Sequence, residues 1–135
     1  MFSRSDNSST SKAAPFAVAR RDRDERTSVV SVTGELDLST APQLKWALVD
    51  ALEQGRSSLV VDLSLTSFMD STALGVLVGV NRSLPDGSRL AIVCHSPALL
   101  RIFELSGMDA AFAIHPTLDA ALAVQAPAPR VAEAG

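Results

Sequence analysis

The chain has few of the residues that mark secreted, metal-binding or nucleic-acid-binding proteins. One cysteine among 135 residues cannot form an internal disulfide, which excludes a disulfide-rich secreted class. With 12 basic against 15 acidic residues there is no positive excess to neutralise phosphates, so direct nucleic-acid binding is disfavoured. Cys94, His95 and His115 match no zinc-ligand spacing. We expect no metal, no cofactor and no nucleic-acid partner.

Aromatic residues and long apolar runs are also scarce. The chain has no Tyr, one Trp and five Phe, so aliphatic side chains must fill the interior. The longest apolar run, residues 73–80, is far short of the roughly 20 residues that cross a membrane. The first residues lack the apolar segment of a signal peptide, and Cys94, which follows the apolar residues 90–93, reads as a buried thiol in a reducing compartment. The sequence predicts a cytoplasmic protein without a membrane partner.

The composition divides the chain into three parts. Residues 1–13 are mostly Ser, Thr, Asn and charged residues, which can bury little, and they are predicted to be a disordered tail. Residues 126–135, with Pro127 and Pro129, are predicted to be a second disordered tail. Between them, residues 14–125 are long enough for one domain with its own core.

Patterns typical of strands and helices alternate within this domain. Strands are predicted at 16–19, 27–34, 59–63, 89–94 and 112–115, with loops at 20–26, 35–38 and 64–70. Helices are predicted from a cap at Ser39 or Thr40 to Gly55, over 71–84, from a cap at Ser96 to Gly107, and from about Leu118. The order implies an α/β fold with a mixed, mostly parallel sheet covered by helices and an antiparallel strand from the N-terminal hairpin.

A candidate site lies where two of these strands lead into loops. Residues 68–75, Phe-Met-Asp-Ser-Thr-Ala-Leu-Gly, place two adjacent hydroxyls at a helix N-terminus, where free N–H groups and the helix dipole favour a phosphate. Ligand and modification sites in such sheets lie at the carboxyl ends of strands. If the two strands are neighbours, Asp37, Asp70, Ser71 and Thr72 share one surface.

Each of these residues also has a plainer interpretation. Ser71 is a helix cap, or Asp70 is the cap and Ser71 and Thr72 are ordinary polar residues of the first turn. Asp37 is then a solvated loop carboxylate. The small residues Gly75, Gly79 and Ser83 then serve close packing of the helix against the sheet. On spacing alone these interpretations are favoured.

Catalytic interpretations find less support in the sequence. There is no Gly-x-Ser-x-Gly motif, and His95 and His115, the available bases for Ser71, have no carboxylate nearby in sequence to orient them. Asp62 could accept a phosphoryl group at a strand end, but residues 17–19 lack the acidic pair that would hold magnesium. We therefore expect no enzyme and assign no catalytic residue.

Four segments, in order, carry a resemblance to a known family. They are Gly34-Glu35-Leu36-Asp37, Val61-Asp62-Leu63-Ser64, Ser67 to Gly75, and Ser96-Pro97-Ala98 with Phe103-Glu104-Leu105-Ser106-Gly107. Together they resemble the bacterial anti-sigma factor antagonists with a STAS domain, over roughly residues 14–125. The resemblance implies a STAS-like fold and a partner switch. The unmodified antagonist binds an anti-sigma factor that is itself a serine kinase, and a sigma factor is released. Phosphorylation ends the binding, and a phosphatase resets it.

The resemblance also implies roles for individual residues. Ser71 corresponds to the serine that is phosphorylated, Thr72 is the secondary candidate, and Asp37 matches the loop aspartate beside that site. Ala73 stands where the family often has Gly, which predicts a slightly stiffer first turn. The implied partner-binding residues are Asp37, Asp70, Ser71, Thr72, Leu74 and Gly75. A monomer is the plainer expectation.

Two further functions stay open at this stage. The chain could be a STAS scaffold or a nucleotide-sensing module without control of a sigma factor. It could also be a small hydrolase that uses Ser71 as its nucleophile.

Overall fold

The computed structural model describes residues 15–125, in which strands and helices alternate as predicted for an α/β fold. The tails predicted at 1–13 and 126–135 lie outside the described residues. In chain order the elements are β1 (Ala17–Asp22), β2 (Thr27–Leu36), α1 (Ala41–Glu53), β3 (Ser58–Met69), α2 (Ser71–Ser83), β4 (Ala91–Val93), α3 (Pro97–Ser106), a 3₁₀ turn (Met108–Ala110), β5 (Ala113–His115) and α4 (Leu118–Gln125).

The strands of the described part form one sheet in the order β1-β2-β3-β4-β5. β1 pairs with β2 in antiparallel fashion, and the other neighbours are parallel. This confirms the predicted mixed, mostly parallel sheet with an antiparallel N-terminal strand. Because β2 and β3 are parallel neighbours, their carboxyl ends meet at one edge, where Leu36 lies opposite Met69.

The core lies mainly on one face of the sheet. Val30 and Val32 point to this face, as their alternation predicted, and they pack with buried residues of α1, α2 and α3. The buried residues of these three helices are Ala41, Leu44, Leu48, Ala51, Ala73, Leu77, Val80, Leu99 and Phe103. On the opposite face, α4 is the helix of the described part that packs against the sheet, through Ala121. The central strand β3 is covered on both faces, which explains its apolar run.

Two predicted loops are in fact strand. Glu35 and Leu36 belong to β2, and residues 64–69 belong to β3, so the prediction of loops at 35–38 and 64–70 was wrong over these residues. Burial explains the extension, because Leu36 and Met69 are almost fully covered and continue the core to the end of each strand. The hydroxyl of Thr66 donates to Val32 O at 3.0 Å and holds the pairing. Asp37 and Asp70 therefore follow directly after longer strands than the sequence predicted.

The turn that was predicted over residues 20–26 begins three residues later, after Asp22. Arg20 to Asp22 continue β1 because Arg20 is anchored on its neighbours. Its guanidinium forms an ion pair with Asp22 at 2.9 Å and donates to Gln54 Oε1 on α1 at 2.8 Å.

At the other side of the sheet, β4 and β5 are shorter than predicted. Leu90 N donates to the Asn81 side chain at 2.7 Å instead of joining the ladder.

α3 begins after Ser96 and ends at Gly107, as the sequence predicted. Ser96 Oγ accepts from Leu99 N at the start, and Gly107 ends the helix with φ of +77°, a conformation that residues with a Cβ rarely adopt. Cys94, directly after β4, is buried as predicted, and burial raises the pKa of its thiol.

Candidate functional site

The candidate site lies at the carboxyl ends of β2 and β3. Asp70 N donates to Leu36 O at 3.0 Å and ties the end of β3 to the end of β2. Asp37 and Asp70, which directly follow the paired residues Leu36 and Met69, are thereby brought to the same edge of the sheet. The predicted meeting of these two segments is confirmed by the strand pairing.

Asp70, and not Ser71, is the N-cap of α2. Its backbone is extended, with ψ of −178°, and its carboxylate accepts from Ala73 N at 3.1 Å. Ser71 is the first helical residue and is exposed. Among residues 15–125, no group forms a hydrogen bond with Ser71 Oγ. The interpretation of Ser71 as a cap was wrong, and its hydroxyl has no structural role in the first turn.

Asp37 organises the turn between β2 and α1. Its carboxylate accepts from the Ser39 hydroxyl at 2.8 Å and from the backbone N–H groups of Ser39 and Thr40 at 3.0 and 3.2 Å. The Thr40 hydroxyl does not cap α1 but donates to Glu35 O at 2.8 Å. The hydrogen bond from the Ser39 hydroxyl is the largest cause that lowers the pKa of Asp37. Together these bonds hold that pKa below its ordinary value. Asp37 is therefore a built part of the site and not merely a solvated carboxylate.

We expect Asp37→Asn to lower the urea midpoint of unfolding at about pH 7, and this deficit to shrink in acid. The folded pKa lies below 3.8, so the ionised carboxylate stabilises the folded state above that value. The contribution is lost as pH falls through the lower folded pKa. Urea unfolding of wild type and variant between about pH 7 and pH 2 measures the difference.

Glu35→Gln is the matched control, because the Glu35 side chain is exposed and, within the described residues, its carboxylate has no hydrogen-bond partner. Wild-type stability is expected for this variant across the same range. A deficit of Asp37→Asn that stays constant with pH would show that charge plays no part.

The other predicted partner-binding residues lie along the start of α2. Thr72 and Gly75 are exposed, and Leu74 is half-buried against the core. Ala73 is fully buried. Thr72 and Gly75 line a groove between α1 and α2 with a volume of about 460 Å³. The site therefore continues from the strand ends into this groove.

The glycines of α2 face this groove. Gly75 and Gly79 are exposed, and a Cβ at either position would meet no atom within 4 Å. The interpretation of the small residues as a contact for packing the helix against the sheet was wrong. The helix instead packs against the core through Ala73, Leu77 and Val80.

Sequence reasoning missed the apolar side chains that border the site. Trp46 on α1 is 70% exposed and Leu38 before α1 is 73% exposed. Both line a depression of about 310 Å³ together with Thr72 and Val76. Their signal in the sequence is weak. Trp46 falls outside the helical spacing of the buried positions of α1, but that alone does not show what lies beside it.

The residues considered for catalysis are not assembled into a catalytic site. Within residues 15–125, no hydrogen bond joins Ser71 to His95 or His115. Asp62 was expected at a strand end but lies inside β3. Its carboxylate accepts a hydrogen bond from Ser64 Oγ at 2.6 Å. The described residues contain no cluster of three or more His, Cys, Asp or Glu side chains placed to hold a metal ion. No helix among them has the length and apolar composition of a membrane span.

Known proteins are similar to this chain in sequence and architecture. A family model described as "Mlab, STAS domain" matches residues 19–124. An anti-sigma-B factor antagonist of Listeria monocytogenes is 41% identical over 96 residues, which are 70% of this chain and 83% of that protein. A crystal structure of an anti-sigma factor antagonist from Mycobacterium paratuberculosis is 36% identical. It covers 83% of this chain and 97% of its own, with a TM-score of 0.76.

A third comparison concerns a modified protein. The structure of the Bacillus cell fate determinant SpoIIAA in its phosphorylated form is 25% identical, covers 80% of this chain and 98% of its own, and gives a TM-score of 0.63. The family model and the curated relative each span more than two thirds of the chain. This chain belongs to the family of STAS-domain anti-sigma factor antagonists.

Proposed function

We propose that this protein is an anti-sigma factor antagonist whose binding is switched off by phosphorylation of Ser71. The unmodified chain binds an anti-sigma factor, and a sigma factor is thereby released. The proposal rests on the state of Ser71, an exposed hydroxyl without a structural role. It lies at a helix start beside Asp70, at the edge of the sheet that also carries Asp37. The names of the relatives support the partner class. The protein has no catalytic role of its own in this proposal.

The chemistry of the switch takes place on Ser71 Oγ. A bond forms between this oxygen and the γ-phosphorus of ATP while the bond from that phosphorus to the β–γ bridging oxygen breaks, and ADP leaves. The hydroxyl proton passes to a base on the partner kinase. A phosphatase reverses the modification, using water to release inorganic phosphate. Thr72, the next residue of the same turn, is the secondary acceptor.

The folded domain tolerates the added charge. The first N–H groups of a helix lack intrahelical partners, and a negative charge there is favoured by about 0.3–1 kcal/mol. The carboxylates of Asp70 and Asp37 oppose it, but Ser71 is exposed, and the surrounding water reduces repulsion between charges a few ångströms apart to about 1 kcal/mol. A charge of about −1.5 to −2 therefore changes what the surface binds more than it changes the fold. Together with the two carboxylates it repels an acidic partner surface.

We expect phosphate from ATP to be found on Ser71 when the full chain is incubated with the anti-sigma factors of its own genome. Mass spectrometry of the digested protein locates the modified residue. Ser71→Ala should lose the modification, and Thr72→Ala, one residue along the same turn, should keep it. A wild-type chain that is phosphorylated at another residue in preference to Ser71, or that is not phosphorylated by any of these kinases, would refute the proposed switch.

A further inference from the structure

A small depression lies on the face of the sheet that α4 covers, beside the amino-terminal half of β2. It is lined by Val29 and Ser31 of β2, by Ala19 and Arg21 of β1, and by Leu118 of α4 among others. Its volume is about 150 Å³, which is enough for a group of the size of a benzene ring. The candidate site lies at the carboxyl end of β2, so the depression is separate from it.

The strand pairing places these side chains on one face. Ala19 lies opposite Ser31, and Arg21 lies opposite Val29. Side chains two residues apart on a strand point the same way, and Val29 packs in the cluster that contains Ala121 of α4. Arg21 and Ser31 are therefore diagonal neighbours across the two strands, within reach of one bound group.

Three of the side chains that line the depression are hydrogen-bond donors without a partner. Arg21 and Arg23 are exposed, Ser31 is half-buried, and within the described part of the chain none of the three side chains forms a hydrogen bond or an ion pair. Arg20 also lines the depression, but its guanidinium is held by the ion pair with Asp22. Two free guanidinium groups and a hydroxyl favour an anion.

The neighbouring carboxylates are engaged elsewhere. Asp22 is also paired with Arg56, at 2.9 Å, and the Asp62 carboxylate accepts from Ser64 Oγ at 2.6 Å. Asp24 accepts from two backbone N–H groups of its own turn, at 2.8 and 2.7 Å. The acidic residues beside the depression in sequence or across the strand pairing, none of which lines it, are Asp22, Asp24, Glu25, Asp62 and Asp119. The lining side chains are therefore basic, apolar or hydroxyl-bearing.

We propose that Arg21, Arg23 and Ser31 form a binding site for a small phosphate monoester. Each planar guanidinium group matches two phosphate oxygens at once, and the hydroxyl donates to another. The apolar side chains of the lining fit a small apolar group esterified to the phosphate. This site goes beyond the proposed function, since it requires neither an anti-sigma factor nor modification of Ser71.

A titration of the isotopically labelled full chain with phenyl phosphate, followed by NMR at constant ionic strength, tests the proposal. Saturable shifts are expected at the backbone amides of residues 19–23, 29–31 and 118, which surround the depression. A parallel titration with inorganic phosphate separates the two sources of the phosphate group. Phenyl phosphate should bind about threefold more tightly or better, because its ring covers the apolar lining.

Substitution of the donors should weaken binding of phenyl phosphate. Arg21→Gln and Arg23→Gln should each raise its dissociation constant about fivefold or more, because each removes a charged fork, and Ser31→Ala about twofold to threefold. Arg26→Gln is the matched control, since Arg26 is an exposed arginine of the same turn that does not line the depression. Its affinity should stay within about twofold of wild type. Circular dichroism checks that each variant is folded.

Four outcomes would overturn the proposal. They are binding that does not saturate, shifts centred on the start of α2, equal affinity for inorganic phosphate, and a loss of affinity in Arg26→Gln as large as that in Arg21→Gln. None of these outcomes affects the test of phosphate transfer to Ser71.

Discussion

Ser71→Glu is expected to weaken binding of the anti-sigma factor about tenfold to a hundredfold, while Ser71→Ala binds as the unmodified wild type does. The glutamate places a permanent negative charge at an exposed position beside Asp70, where the proposed interface forms. A charge enclosed by an interface without a partner loses its hydration, which costs several times the thermal energy. Isothermal titration of the purified anti-sigma factor with each variant measures the effect.

Ser88→Glu is the matched control for that experiment. It makes the same substitution at an exposed serine in the segment before β4, at the opposite edge of the sheet from Ser71. Its affinity is expected to equal that of wild type. Urea unfolding of Ser71→Glu should also match wild type, because Asp70 and not Ser71 caps the helix. Equal affinity of Ser71→Glu and Ser71→Ala for the partner would contradict a switch at this residue.

Phe103→Ala is expected to have the largest effect on stability, about 3–5 kcal/mol. Phe103 on α3 is fully buried and contacts Phe112, with ring centroids 5.7 Å apart at 82°. Its truncation removes an edge-to-face aromatic pair and leaves a cavity between α3 and the sheet. A domain of this size is commonly stable by about 5–15 kcal/mol, so a large part of the total is lost.

Urea unfolding followed by circular dichroism measures the loss for Phe103→Ala. Leu105→Ala, two residues along the same helix, is the control because Leu105 is 73% exposed. Its effect should stay within about 0.5 kcal/mol. A loss below about 1 kcal/mol for Phe103→Ala would mean that α3 contributes little to the core, contrary to its burial.

The order of elements and the ends of α3 could be predicted because they depend on local signals. Gly107 and Ser96 act through their own backbone conformation and a hydrogen bond three residues away. The end of β3 could not be predicted, because Met69 and Thr66 are held by pairing with the distant β2. A run of polar residues looks like a loop when its partner strand is not known.

The candidate site, too, could be predicted only in part from local sequence signals. The run from Asp70 to Gly75 was found from its pattern, but either Asp70 or Ser71 could have been the cap. The extended backbone of Asp70 decided between them. The exposure of Trp46 beside Thr72 follows from how α1 and α2 pack together, which no local pattern encodes. Tertiary packing therefore accounts for what the sequence left open.

The Asp70 cap has a consequence for the lifetime of the two forms of the proposed switch. Since the carboxylate of Asp70 holds the first turn of α2, esterification of the neighbouring hydroxyl removes no bond on which folding depends. Proteases and chaperones that act on transiently unfolded chains then meet both forms equally often. We therefore expect the ratio of active to silenced antagonist to follow the proposed kinase and phosphatase, with little bias from turnover of the protein.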